Sequence, residues 1–241
     1  GHHLPLRNRL AELQSRILDG CDPTASGVDP AICILPRRLH LTLGPISRSP
    51  YASQRNKAKL TIPTVVSHLE SIRGKIIELL NGEPLMVPLE RMDIMHPRTG
   101  SLEDAGVLWL GPDLRKGEEE RKRETKVLER VTDFIHRSFK DAGYLVDTRP
   151  LKLHATFINT VYRKGKGKRR PFSYTQVLDA LGLKDEVLPT RIPPPAPPGK
   201  ISDVASVPMD LGMWRAEEVQ ICRLGSWGPE NEYVSVGGVK L

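Results

Sequence analysis

Apolar residues recur along this chain with two different periods. Over residues 6–19, "LRNRLAELQSRILD", Leu6, Leu10, Leu13 and Ile17 return every three or four positions. That spacing predicts a helix with one buried stripe, stopped by Gly20. A second helix is predicted from about Thr64 to Leu80, with Val65, Leu69, Ile72, Ile76 and Leu79 on one face and Asn81-Gly82 as its end. A third occupies "GEEERKRETKVLERVTDFIHRSFKDAG", with acidic residues in its first turn and an apolar face of Leu128, Val131, Ile135 and Phe139; Gly143 lies beyond its end. Between these helices the period shortens to two. Residues 38–44, 84–95, 105–112 and 152–162 read as strands, and "MDLGMW", "EVQICRLG" and "EYVSVG" close the chain as three short ones.

Helix and strand alternate without the regular βαβ rhythm of a parallel sheet. The expectation is an α+β fold of two small antiparallel sheets flanked by helices, arranged as two similar lobes with internal duplication. Residues 1–241 are read as one bilobal domain. The region 165–208 is predicted to be loop-rich. Within it, "PTRIPPPAPPGK" (189–200) excludes helix and central strand and favours polyproline II or disorder.

Composition narrows the class. With 39% apolar and 27% charged residues, 241 residues can bury a proper core. No apolar run is long enough to cross a bilayer, and no secretory pattern opens the chain. Cys21, Cys33 and Cys222 are odd in number and scattered, which argues against a disulfide framework or zinc site and for a reducing compartment. The net charge of +7 is local: "YRKGKGKRR" (162–170) holds six basic residues and no acid, and without it the chain is near neutral. Polyanion binding is therefore expected at one loop, 163–170, and not over the whole surface.

Two strands carry the chemistry. "RLHLTLG" holds His40 and Thr42, and "KLHATF" holds His154 and Thr156, at the same offset and each after a basic residue and a leucine. Side chains two apart on a strand share a face, so each histidine stands beside its threonine. One such pair is ordinary in a half-buried sheet. Two in matching contexts supply a proton acceptor and a proton donor, with hydroxyls to hold phosphate oxygens, as phosphodiester cleavage requires. If the lobes face each other, the two imidazoles converge on one group. Either histidine can then be the acid or the base.

These paired motifs resemble the 2H phosphoesterase superfamily, whose signature is two His-hydrophobic-Ser/Thr-hydrophobic strands on a pseudo-twofold bilobal fold. "HLTL" (40–43) matches fully and "HATF" (154–157) matches with Ala155 as the small apolar residue. "LHLTLG" and "KLHATFINTVYRK" are similar to the eukaryotic branch that includes activating signal cointegrator 1 complex subunit 1 and the A-kinase anchor protein 7-like phosphoesterase domain. The resemblance covers roughly 28–163. It implies His40 and His154 as catalytic residues, Thr42 and Thr156 as phosphate-binding, no metal or other cofactor, and RNA or nucleotide phosphodiesters as substrates. The sequence departs from that branch at its start, where "HHLPL" replaces a longer strand, and in its proline-rich excursion.

Other features receive lesser roles. Tyr162, Arg163, Lys164, Lys166, Lys168, Arg169 and Arg170 are candidate RNA contacts, with Phe172 and Tyr174 as further stacking rings or as residues buried under the loop. The same run also reads as a nuclear localisation signal or a solvated loop. His68 and His136 are expected to be solvated surface histidines. His96 reads as a turn histidine before proline, with an Asp93/His96 metal pair as the alternative. Arg191, Pro194 and Pro197 fit an SH3-type docking pattern that arises often by chance. The expected protein is a nuclear or cytoplasmic monomer without membrane attachment, either an enzyme or a non-catalytic RNA- or nucleotide-binding subunit of a multiprotein nuclear complex. A protein-interaction scaffold, supported only by the proline-rich segment, is the third reading.

Overall fold

The computed structural model describes residues 1–46, 60–115, 117–145, 149–163, 170–183 and 204–241. Among them are five α-helices and eight strands in small antiparallel sheets, an α+β architecture. The chain divides into two compact units. The first is built from residues 1–41, 89–112 and 154–212, the second from 42–88, 113–153 and 213–241.

In the first unit, α1 (Leu4–Gly20) buries Leu6, Leu10, Leu13 and Ile17, the stripe its spacing predicts. Gly20 is the last helical residue. A Cβ there would lie 2.6 Å from the Ala180 Cβ, so the missing side chain lets α1 approach the short helix α5 (Tyr174–Ala180). The one-turn helix α2 (Pro23–Ser26) is capped by the Asp22 carboxylate, which accepts from the Thr24 N–H at 2.7 Å. The sheet of this unit has strand order β4 (Ala155–Asn159), β3 (Val107–Gly111), β2 (Arg91–Ile94), β5 (Val207–Pro208). Met92, Ile94, Leu108, Leu110, Ala155 and Ile158 are buried in its core. Alternation and register give the opposite face Arg91 and Asp93 on β2, Trp109 on β3 and Thr156 on β4.

In the second unit, α3 (Ile62–Leu80) begins with a capping box between Thr61 and Thr64 and ends at Asn81, which adopts the left-handed conformation. Helix α4 (Arg123–Asp141) buries Leu128, Val131, Ile135 and Phe139 as predicted. Two two-stranded antiparallel sheets complete the unit: β1 (Leu85–Pro88) with β6 (Met213–Ala216), and β7 (Glu218–Cys222) with β8 (Ser235–Lys240).

Four sequence expectations need correction. The run 84–95 is two strands in two units; at its break the Leu89 N–H bonds Gly212 and the Glu90 N–H bonds Gly111, redirecting the chain. Residues 38–44 form no continuous strand. Pro36–Arg38 is a 3₁₀ turn and Leu41 makes a single bridge to Ala155, while the Leu43 carbonyl accepts from the His136 ring at 2.7 Å. The loop-rich region contains α5, whose seven residues are too few to display a period. "MDLGMW" becomes strand only at Met213, because Gly212 turns the chain at φ 90°. Among the described residues no helix is long and apolar enough to cross a membrane.

Candidate active site

The second motif strand lies inside the sheet. One edge of β4 pairs with β3. The other is covered by the chain from Cys33 to Leu41, through a Cys33–Ile158 bridge, an Ile34 N–H to Phe157 carbonyl bond of 3.0 Å, and the Leu41–Ala155 bridge. The 3₁₀ turn interrupts this covering segment and sets Leu39 and Arg38 into the interior. Antiparallel registration at Leu41–Ala155 carries a direct consequence: one step away, His40 stands opposite Thr156. The two histidine segments are thus neighbours within the first unit. The sequence expectation of one motif per lobe is corrected for the histidines, since residues 1–41 and 154–212 fold together. Thr42 opens the second unit and is exposed.

His40 has a defined tautomer. Its Nδ1 lies 2.7 Å from the Arg38 carbonyl oxygen, which can only accept, so Nδ1 carries the proton and the lone pair of the neutral ring is on Nε2. Its pKa is lowered from the ordinary histidine value. Desolvation is the largest cause, the Arg38 carbonyl opposes it, and the positive charge of Arg38 lowers it further. His40 is nevertheless exposed at the surface. Solvent screens the effect, and the direction is what bears on the chemistry.

His154 and Thr156 are half-buried. The His154 ring meets the indole of Trp109 edge-on, with centroids 6.5 Å apart and planes at 79°. Trp109 pairs with Thr156 across β3 and β4 and is 3% exposed. The sequence reading passed over Trp109. The available signal was its place in "VLWLG", where it alternates away from the two core leucines.

Other candidates divide between outcomes. Arg163 is an anchor: its guanidinium pairs with the Asp29 carboxylate and donates to the Gly27 carbonyl at 2.5 Å. Arg170 donates to the Thr24 carbonyl. Lys164, Lys166, Lys168 and Arg169 lie outside the described residues, as do Arg191, Pro194 and Pro197. Tyr162 is exposed, but Phe172 and Tyr174 are wholly buried. The Phe172 backbone pairs with Ala105, and the Tyr174 hydroxyl donates to Ala205 at 3.1 Å, so neither ring reaches a ligand on the surface.

Two histidines depart from the solvated reading. His136 is buried by its bond to Leu43, and His68 sits 3.0 Å from the Ser138 hydroxyl with Phe139 and Tyr144 against its ring. His96 is the turn histidine expected, its Nδ1–H donating to the Pro97 carbonyl at 2.9 Å. Asp93 is committed to the backbone: its buried carboxylate accepts from the amides of Ile94, Val204 and Ala205 at 2.7–2.9 Å. Among the described residues no group of three or more His, Cys, Asp or Glu is placed to hold a metal ion.

No curated protein matches the chain. A family model does, the AKAP7 2'5' RNA ligase-like domain, over residues 2–187, a span that includes both histidine motifs, α1, α3, α4 and the first four strands. On that match the chain belongs to the AKAP7 2'5' RNA ligase-like family of the 2H phosphoesterase superfamily.

Proposed function

We propose that this protein cleaves phosphodiesters at RNA ends or in small nucleotides, by acid–base catalysis between His40 and His154. The observation that carries this reading is the Leu41–Ala155 bridge, which sets His40 opposite Thr156 on the segment next to His154. Family membership supports phosphoester chemistry, and the RNA ligase likeness in the family's description supports RNA as the substrate class.

The roles follow from the protons. His40, neutral and protonated on Nδ1, offers Nε2 as a base. With a 2′,3′-cyclic phosphate, it takes a proton from water as the water oxygen bonds to phosphorus. The bond from phosphorus to one ribose oxygen breaks, and His154, entering protonated, gives that oxygen its proton. The product is a ribose phosphomonoester, and solvent exchange restores both rings. Thr156 and, on the sequence pattern, Thr42 donate hydrogen bonds to the non-bridging oxygens. A 2′-5′ or 3′-5′ linkage is cleaved with the same two proton transfers. Acid and base are both side chains, so the scheme needs no metal.

A panel of RNAs with 2′,3′-cyclic phosphate, 3′-phosphate and 2′-5′ ends, assayed with and without EDTA, tests this. EDTA-resistant turnover is the expected result. Activity abolished by EDTA and restored by Mg²⁺ would contradict it. Tight RNA binding without turnover on any substrate would replace the enzyme by a non-catalytic RNA-binding subunit.

A further inference from the structure

We propose that Trp109 is a positioning residue for His154, fixing the plane of its ring for proton transfer. The inference rests on the phosphodiesterase reading above. Trp109 stands in one cross-strand row with Thr156 on β4 and Asp93 on β2. Both neighbours hold it. Thr156 pairs with Trp109 directly, beside a β-bulge that falls between Leu108 and Trp109, and Asp93 is fixed by three backbone amides. His154 lies two residues before Thr156, so it is the diagonal neighbour of Trp109 on the same face, within reach of a large aromatic side chain. The ring contact at 6.5 Å and 79° is the edge-to-face arrangement that aromatic quadrupoles favour.

A histidine at the start of a strand can rotate about two side-chain bonds. Proton delivery tolerates little such rotation, because a misplacement of about 1 Å costs on the order of 10²-fold in rate. The indole removes that freedom on one side. Being 3% exposed, it cannot serve as a platform for a base, and its effect on the reaction must pass through its neighbours.

The test compares Trp109→Leu with Trp109→Phe in the whole protein, each checked by thermal melting. The leucine variant removes the aromatic face and the phenylalanine variant keeps one. On a cyclic-phosphate substrate, Trp109→Leu is expected to lower kcat roughly 10-fold with KM within about twofold. Trp109→Phe is expected to recover most of kcat, and the His154 ring resonances should move in the leucine variant. Equal kcat in both variants and wild type, or an equal fall in both, would assign Trp109 to packing alone and overturn the proposal.

Should the leucine variant not fold, nuclear Overhauser contacts between the His154 and Trp109 ring protons in wild type, with kcat of the phenylalanine variant, decide the matter. Absence of those contacts overturns the proposal, as does a Trp109→Phe variant as impaired as His154→Ala. Wild type inactive on every phosphodiester sinks the reading beneath it; active wild type with an unimpaired leucine variant sinks the Trp109 assignment alone.

Discussion

In the proposed mechanism a single backbone carbonyl, that of Arg38, makes His40 the base. Replacing His40 or His154 by alanine is expected to reduce turnover by roughly 10²-fold or more, with the double variant little worse than either single one. Steady-state rates on a cyclic-phosphate substrate decide this, and full activity in either single variant would end the paired mechanism. A second expectation concerns acid. Because the folded-state pKa of His40 is lowered, below about pH 6.5 the unfolded chain binds a proton that the native ring resists. The stability contributed by the neutral ring is present above that pH and is lost as pH falls toward the folded pKa. Melting curves between pH 7 and 5 should show a smaller loss in His40→Gln than in wild type; parallel losses would refute it. The acid limb of kcat/KM should likewise fall below the ordinary histidine range. At this scale the matched spacing of the histidines and threonines was legible, since it is local. The Arg38 carbonyl as the partner of His40 was not, nor Trp109 beside His154, because both depend on which strands meet.

Elements were legible where a long period could accumulate. α1 and α4 bury the residues their spacing names, and α3 stops at Asn81. The histidine segment 38–44 was misread as a strand because its apolar alternation is real while its hydrogen bonds are mostly taken elsewhere, as at Leu43 and His136. α5 was missed, and its contact with α1 makes a prediction of its own. Gly20→Val places carbon where the Ala180 side chain already sits, at a helix end that cannot retreat without disturbing Ile17. Overpacking of this kind costs about 1–3 kcal/mol. Urea denaturation should show that loss, while a Gly74→Ala control, with nothing within 4 Å of the new Cβ, should be neutral or stabilising. Equal effects of the two would show that α1 and α5 are not in close contact.

Over the whole sequence the charge is uneven, and the basic run 163–170 holds two separate expectations. Arg163 is tied to Asp29, so Arg163→Ala should lower the melting temperature. Neutralising Lys164, Lys166, Lys168 and Arg169 should leave the melting temperature alone, weaken RNA binding and flatten its salt dependence. A mononucleotide cyclic phosphate, with no flanking phosphate backbone to bind, should be turned over almost normally. Filter binding at several salt concentrations measures the slope, and an unchanged slope would return these residues to a solvated loop. The division into two units was half legible: the order of elements suggested two lobes, but not that the chain passes between them five times, after residues 41, 88, 112, 153 and 212. That interleaving has a consequence for synthesis. A chain emerging from the ribosome N-terminus first cannot finish either unit early. The first waits for residues 154–212, and the second for 213–241. Both units therefore close only through contacts between segments far apart in sequence, and a cut between residues 88 and 153 should leave neither unit whole in either fragment.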